Sequence, residues 1–256
     1  MILLVNDDGI DAPGLRSLYR SLHLTAKQKI LAVAPSKQRS GMAHAITINR
    51  GLQVQHIYDS HEQFFGFALD GTPTDCLKLA LKVLSQEEPQ MVISGINDGP
   101  NVGRSLFYSG TVGAAMEAAV EGHCAMAVSL DRGPESDWQA AADFACSIAE
   151  SLRGDTSLRG LVVNLNLPAL PSAEWKELKL LPHGLSGFSE NYAMRERGDG
   201  SFSWHLHGER IELEHEGETD AHALRMGHPT ITLLRPSYNT DQHLLEKSLK
   251  ANHVLS

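Results

Sequence analysis

The strongest constraint on the fold is a short, wholly apolar run at the start of the chain, ILLV at 2–5. A strand with one solvated face alternates apolar and polar residues, whereas a strand of a parallel sheet is covered on both faces and stays apolar throughout. The next segment, 13–24, carries Leu15, Leu18 and Leu22 at helical spacing. Together the two segments predict a parallel sheet with helices packed on both of its faces.

Strand and helix patterns continue to alternate through the first two thirds of the chain. The predicted strands are 29–35, 45–48, 52–57, 64–69, 90–94, 124–130 and 161–168, and the predicted helices are 71–84, 109–122 and 135–152. The helix at 71–84 has Thr72 as its N-cap, Pro73 at its first position and Asp75 spaced for a capping box. This alternation is typical of a doubly wound α/β sheet.

The last third of the chain differs in character. Residues 171–227 are rich in Glu, His and Gly with few long apolar runs, which indicates extended hairpins or an arm outside the main sheet. A strand at 229–236 and a helix at 240–250 are predicted to close the chain. We therefore predict a catalytic α/β domain over 1–170 and a smaller C-terminal part over 171–256 that takes part in oligomerisation.

Composition and charge narrow the classes of function. Hydrophobic residues make up 42% of the chain, and no apolar run approaches the ~20 residues that span a bilayer, so we expect no membrane span. The start lacks a basic region and a long apolar core, so a cytoplasmic location is expected. The net charge of −9 argues against duplex nucleic acid as a partner. Cys76, Cys124 and Cys146 lack CxxC spacing and are expected to be buried and unpaired.

Polar, glycine-containing segments begin at the ends of three predicted strands. They are NDDG at 6–9, PSKQRSGMAH at 35–44 and SGINDGPNVGRSLFYSGT at 94–111. In open parallel sheets, ligands bind outside the carboxyl ends of the strands, near the point where the strand order reverses. The three segments are therefore expected to meet at one edge of the sheet and to form a binding site there.

The adjacent aspartates Asp7 and Asp8 indicate a cation. One aspartate alone is most simply a turn former, but two close carboxylates both stay ionised most readily beside a positive charge. Ser40 and Asn97 offer neutral oxygens from the other two segments, although each alone is also typical of a turn or a cap. Oxygen donors without a thiolate or histidine cluster favour one hard divalent ion, Mg²⁺ or Mn²⁺.

The stretch Ser109, Gly110 and Thr111 is predicted to begin a helix and to bind phosphate there. A helix N-terminus offers unpaired N–H groups and a positive dipole end, and glycine lets an anion approach the backbone. An isolated SGT is no more than an N-cap, but here a long loop dense in Gly and Asn precedes it. Asn101 in that loop is predicted to add a phosphate contact.

Several common motifs are missing from the sequence. Neither GxxxxGK[ST] nor GxGxxG occurs at the first strand-to-helix turn, and no GxSxG is present. An ATPase P-loop, a dinucleotide-binding fold and an esterase are therefore poorly supported. Among the thirteen scattered histidines, His44 beside the RSG segment is the one worth testing.

The chain resembles the SurE family, stationary-phase survival proteins that act as metal-dependent nucleotidases. Five segments follow the family's order and spacing across residues 1–130: NDDG, VAPSKQRSG, GTPTDC, SGINDGPNVG and YSGTVGAAME. TDAHALRMGHPTITLL at 219–234 is similar to the family's closing segment, whereas 135–218 match only loosely. RSLF at 104–107 departs from the family pattern and adds a basic Arg104, which bears on substrate preference.

The resemblance implies a fold, a site and an activity. The fold would be Rossmann-like, with a C-terminal hairpin arm exchanged between the subunits of a homodimer or homotetramer. Asp7, Asp8, Ser40 and Asn97 would ligate one divalent metal ion per subunit. The activity would be hydrolysis of nucleoside 5′- and 3′-monophosphates, with exopolyphosphatase activity in some members.

The aspartates are also the predicted catalytic residues. Asp8 or Asp7 would assist proton transfer, and in a variant mechanism one of them would become a covalent aspartyl-phosphate. Two other classes of function fit the same residues. One is a non-catalytic sensor that binds nucleotide or polyphosphate, and the other is a metal-dependent nucleotide-sugar transferase.

Overall fold

The structure, a computed structural model, describes residues 1–25, 29–134, 136–211 and 218–237, together with residue 246. Its strands are β1 (Ile2–Val5), β2 (Ile30–Pro35), β3 (Val54–Tyr58), β4 (Phe64–Leu69), β5 (Met91–Asp98), β6 (Ala125–Leu130), β7 (Val162–Leu167), β8 (Lys179–Leu180), β9 (Gly187–Phe188), β10 (Asn191–Glu196), β11 (Phe202–His207), β12 (Arg210–Ile211) and β13 (Thr230–Leu234). Its α-helices are α1 (Pro13–Thr25), α2 (Pro73–Leu79), α3 (Gly110–Val120), α4 (Trp138–Leu152) and α5 (Asp220–Arg225). Short 3₁₀ turns lie at Gly103–Tyr108, Thr156–Leu158 and Ser172–Glu174, and a π-helical turn lies at Ala80–Leu84.

A nine-stranded sheet forms the centre of the molecule, in the order β3-β4-β2-β1-β5-β6-β7-β13-β8. Neighbouring strands are parallel except that β3 is antiparallel to β4 and β13 is antiparallel to β7. From β1 the chain moves outward to β2 on one side and later returns to β5 on the other. The strand order therefore reverses at β1 and β5, which is where such sheets bind ligands.

Strand β1 is buried on both faces, as its apolar run predicts. Ile2 and Leu4 pack into a core with α1 and α4, whereas Leu3 and Val5 pack into a second core with α2 and α3. All four side chains are at most 3% exposed. The predicted α/β fold, a mostly parallel sheet with helices on both faces, is confirmed.

Some predicted elements have different bounds. Residues 45–48 belong to the described part of the chain but form no strand, because Thr47 bonds the Asp75 carboxylate instead of a neighbouring strand. Thr72 and Asp75 form the predicted capping box of α2. The helix predicted over 71–84 ends at Leu79 and continues as the π-helical turn.

The C-terminal third contributes to the main sheet as well as to separate ribbons. Strands β8 and β13 extend one edge of the nine-stranded sheet, while β10 and β11 form an antiparallel two-stranded ribbon. Helix α5 has no counterpart among the predicted elements. The helix predicted at 240–250 falls outside the described residues apart from residue 246, and the division at residue 170 stays a prediction.

The three cysteines are buried and free. Burial raises the pKa of the Cys146 thiol to about 12 and also raises the pKa of Cys76 and of Cys124. Their predicted role as buried, unpaired residues is confirmed. None of the helices that the structure describes is long and apolar enough to cross a membrane.

Candidate metal and phosphate site

The three polar segments meet at the carboxyl ends of β1, β2 and β5. Because Val5 of β1 lies opposite Ser94 of β5 in parallel register, Asp7 and Asp8 emerge beside the end of β5. The backbone N–H of Asp98 donates to Asp8 Oδ2 at 2.9 Å. The register of one strand pair thus brings together acidic side chains that are about ninety positions apart in the sequence.

The segment after β2 closes over the aspartates from the other side. The Arg39 backbone N–H donates to the Asp7 carbonyl at 2.7 Å. Gln38 Nε2 donates to Asp8 Oδ1 at 3.2 Å and to Ser40 Oγ at 3.0 Å. Because one donor group reaches both oxygens, the Asp8 and Ser40 oxygens face a common point.

Asn97 joins the group through Thr111. The Asn97 amide nitrogen donates to the Gly99 carbonyl at 2.6 Å, and its Oδ1 lies 3.4 Å from Thr111 Oγ1. The Thr111 hydroxyl donates to Asp7 Oδ1. The four predicted ligands thus form two linked pairs at the end of the sheet, Asp7 with Asn97 through Thr111 and Asp8 with Ser40 through Gln38.

Helix α3 begins directly against Asp7. Ser109 is its N-cap, and its hydroxyl accepts a hydrogen bond from the Val112 N–H at 3.1 Å. A β-carbon at Gly110 would lie 2.9 Å from the Asp7 β-carbon, so only glycine lets the helix start so close to the aspartate. The N-terminal N–H groups and the positive dipole end therefore lie beside the acidic pair.

Burial makes the acidic pair costly to ionise. Asp7 is 3% exposed, and its pKa is raised to about 6: burial is the main cause and the charge of Asp8 adds to it, while hydrogen bonds from Thr111 oppose the shift. Burial also raises the pKa of Asp8, against the hydrogen bond from the Asp98 N–H, which lowers it. A nearby cation would remove this cost.

The donor set suits a hard divalent ion. Two carboxylates, a hydroxyl and an amide oxygen are the ligands that Mg²⁺ and Mn²⁺ prefer. Within the described residues, no three or more His, Cys, Asp or Glu side chains come together as a metal-binding group, so a zinc-type site has no support there. The residues at the end of β1 and β5 therefore fit the ion that the sequence predicts.

Asn101 is bonded to residues of β6 and β7. Its Nδ2 donates to Ser129 Oγ at 2.8 Å, and its carbonyl accepts from Asn164 Nδ2 at 2.9 Å and from Asn166 Nδ2 at 3.1 Å. Asn101 thus anchors its loop to β6 and β7, and a phosphate contact from its side chain stays a prediction. Asn164 and Asn166 are not among the residues predicted from the sequence, although two asparagines inside the apolar run VVNLNL are themselves a signal.

Comparison with known proteins adds a family relationship. Residues 2–190 match the family model described as survival protein SurE. The chain is 38% identical over 247 residues to the 5′-nucleotidase SurE of Moorella thermoacetica, covering 95% of this chain and 94% of that protein. It is 40% identical over 238 residues to the 5′-nucleotidase SurE of Desulfovibrio desulfuricans, covering 91% of each. A crystal structure of the SurE protein from Aquifex aeolicus has a similar fold, with a TM-score of 0.78 at 28% identity over 98% of this chain and 99% of that one.

Replacing Gly110 by Ala should destabilise the protein, because the added methyl group would overlap Asp7. We expect a loss of about 1–3 kcal/mol in the free energy of unfolding, measured by urea denaturation. Gly51→Ala is the matched control, since a β-carbon there meets nothing within 4 Å. Because alanine is the better helix former, a Gly110→Ala protein more stable than wild type would contradict the close approach of α3 to Asp7.

Replacing Asp7 by Asn should change how stability depends on pH when EDTA removes metal ions. The pKa of Asp7 is about 6 in the folded state against an ordinary value of 3.8, so its proton stabilises the fold at low pH and that stabilisation is lost as the pH rises through 6. Asn keeps the Thr111 hydrogen bond but does not ionise. Between pH 5 and pH 8, the free energy of unfolding of Asp7→Asn should therefore rise by about 1 kcal/mol relative to that of wild type, as measured by urea denaturation. An equal difference between the two proteins at both pH values would contradict the desolvation of Asp7.

Proposed function

This chain belongs to the SurE family, from which we infer that it is a 5′-nucleotidase, a hydrolase of phosphoric monoesters. We propose further that it acts on nucleoside 5′- and 3′-monophosphates and on polyphosphate, and that it requires a divalent metal ion. One observation supports the proposal: Thr111 at the start of α3 links Asp7 to Asn97, and Gln38 links the adjacent Asp8 to Ser40. A cation and a phosphate could therefore bind side by side.

In this proposal, Asp7, Asp8, Ser40 and Asn97 hold one Mg²⁺ or Mn²⁺ ion per subunit. When bound, such an ion polarises a phosphoryl oxygen and activates a water molecule. The assignment is supported by the buried, closely spaced carboxylates, whose negative charge the ion would balance.

The start of α3 would bind the substrate phosphate. Its Gly110 N–H and the Ser109 hydroxyl are the proposed donors, and the helix dipole favours an anion. The hydroxyl and the backbone N–H of Thr111 both bond the Asp7 carboxylate, so a phosphate contact from Thr111 would require one of them to be shared with Asp7. Preorganised donors of this kind stabilise the charge that develops on phosphoryl oxygens in the transition state.

The surroundings of the two aspartates favour different roles for them. Asp7 is buried and bonded to Thr111, which suits a fixed ligand. Asp8 is more exposed, and its Oδ1 accepts a hydrogen bond from the Gln38 amide at 3.2 Å. We therefore propose Asp8 as the residue that accepts a proton from the attacking water, with Asp7 as ligand and positioner.

The β10–β11 ribbon is proposed as an arm that contacts another subunit of a homodimer or homotetramer. Trp204 pairs with Met194 and Leu206 pairs with Tyr192, so these four side chains share one face of the ribbon with Phe202. Each of the five is more than half exposed. An exposed apolar face of this kind is typical of an interaction surface.

Replacing Asp8 by Asn should abolish most phosphate release while leaving the fold intact. Wild type and variant would be assayed on a panel of nucleoside 5′- and 3′-monophosphates and polyphosphate, with EDTA, Mg²⁺ or Mn²⁺. Because the variant loses a metal ligand and the proton acceptor, we expect its kcat to fall by about 10²–10⁴-fold. Asp11→Asn is the control, since Asp11 is an exposed partner of Arg16.

The same panel, extended by a nucleotide sugar as substrate and by measurements of metal and nucleotide binding, separates the other classes of function. Near-wild-type turnover of Asp8→Asn at saturating metal, or full wild-type activity in EDTA, would contradict the metal assignment. Metal and nucleotide binding without turnover would identify a sensor. Release of sugar from a nucleotide sugar without monophosphatase activity would identify a transferase.

The combined Trp204→Ser and Leu206→Ser variant should reduce the molecular mass measured by light scattering, because it removes apolar area from the proposed arm. Arg195→Ser is the control, because Arg195 is exposed and pairs with Ser203 rather than with the apolar residues. An unchanged mass in the double variant, or an equal change in the control, would contradict the arm.

A further inference from the structure

A strap, which we define as residues 39–48, links the metal site to two helices without itself forming a helix or a strand. At its start the Arg39 N–H donates to the Asp7 carbonyl at 2.7 Å. Near its end the backbone N–H and the hydroxyl of Thr47 donate to the Asp75 carboxylate of α2 at 2.9 and 2.6 Å. Ser40, a proposed metal ligand, lies in the strap, so contacts along the strap set its position.

The middle of the strap packs closely against α3. A β-carbon at Gly113 of α3 would lie only 2.3 Å from the Ala43 carbonyl oxygen. The Ala43 N–H donates to the Tyr108 carbonyl at 3.1 Å. Ala43 has a φ of +50°, which is unfavourable for a residue with a side chain. Contacts on either side must therefore hold the strap in this conformation.

His44 supplies a side-chain contact between the strap and α3, in addition to the contacts of Thr47 with Asp75 and of the Thr72 hydroxyl with the Ala45 carbonyl. Its Nε2 lies 2.7 Å from Glu117 Oε2, and Lys78 Nζ of α2 lies 2.5 Å from the other oxygen, Oε1. Glu117 belongs to α3 and is 7% exposed. Burial would raise its pKa, but the hydrogen bonds from Lys78 and His44 outweigh burial and lower it, so Glu117 is ionised at neutral pH. One buried carboxylate thus joins the strap, α2 and α3.

We propose that His44 is a positioning residue for the metal site: through Glu117 it fixes the strap on α3 and so keeps Ser40 in place beside Asp8. The inference rests on the proposed function, because it takes Ser40 as a metal ligand. Glu117 lies about two turns beyond Ser109 on the helix that starts at the phosphate cradle. The contact therefore couples the segment that carries a metal ligand to the element that would bind phosphate.

The position of His44 makes it suitable for a test. Its side chain is 35% exposed, and Lys78 remains bonded to Glu117 when His44 is removed. His44→Ala should therefore fold, while His44→Gln restores an N–H donor that can reach Glu117. Lys82→Ala is the matched control, since Lys82 in the π-helical turn pairs at 2.5 Å with Glu121 at the C-cap of α3, four residues beyond Lys78 and Glu117 respectively.

The experiment measures Mn²⁺ binding by the electron paramagnetic resonance signal of free Mn²⁺, thermal unfolding in EDTA, and kcat and KM for a nucleoside monophosphate. We expect His44→Ala to weaken Mn²⁺ binding about tenfold, as expected when a group that orients a metal ligand is removed. Its unfolding temperature in EDTA should stay close to that of Lys82→Ala. The kcat of His44→Ala should be reduced at limiting Mn²⁺ and should return close to the wild-type value at saturating Mn²⁺. His44→Gln should recover most of the Mn²⁺ affinity.

Two results would overturn the inference alone. The first is equal Mn²⁺ affinity in His44→Ala and in wild type, when the wild-type protein binds Mn²⁺ and hydrolyses the nucleotide. The other is a fall in the unfolding temperature in EDTA far beyond that of Lys82→Ala and not restored in His44→Gln, which would assign His44 a purely structural role. A wild-type protein that neither binds Mn²⁺ nor releases phosphate would overturn the proposed function and this inference with it.

Discussion

The parallel pairing of β1 with β5 is the constraint on which the rest of the structure depends. It requires β1 to be apolar on both faces, because helices cover the sheet on each side. The same pairing sets Val5 opposite Ser94, so the chain leaves both strands at one edge and at one height. Asp7 and Asp8 follow β1 directly and Asn97 lies near the end of β5, so strand register places the three residues at the same end of the sheet.

Negative charge is unfavourable at this edge of the sheet. Two neighbouring carboxylates lie where burial disfavours their charge, and polar groups offset part of the cost at both residues, with the charge of Arg132 contributing to the offset at Asp8. The Thr111 hydroxyl and the N-terminus of α3 approach Asp7 from one side, while Gln38 and the Asp98 N–H bond Asp8 from the other. Such partial compensation suits a site that binds a cation, since a permanent ion pair would compete with the metal.

Local patterns predicted the fold well, and long-range contacts explain where they failed. The apolar run of β1 and the capping box of Thr72 and Asp75 involve residues at most three positions apart, and both were predicted. The segment 45–48 has the composition of a strand, but Thr47 bonds Asp75, 28 positions away, and that contact decides its conformation.

The candidate site shows the same division. Its location could be predicted, because polar segments at the ends of parallel strands must meet at one edge. The contacts that hold it could not: Gln38 bridges Asp8 and Ser40 only when two loops face each other, and His44 reaches Glu117 across 73 positions. Glu117 looks like an ordinary helix residue in the sequence, and only its burial in α3 distinguishes it.

The central claim, that this edge of the sheet is a divalent-metal site, is tested most directly by crystals of the protein soaked in Mn²⁺. An anomalous difference map recorded above the manganese absorption edge should show one peak per subunit, in contact with the oxygens of Asp7, Asp8, Ser40 and Asn97. A protein that uses Mn²⁺ for turnover but shows no peak there, or shows its peak among other residues, would contradict the account.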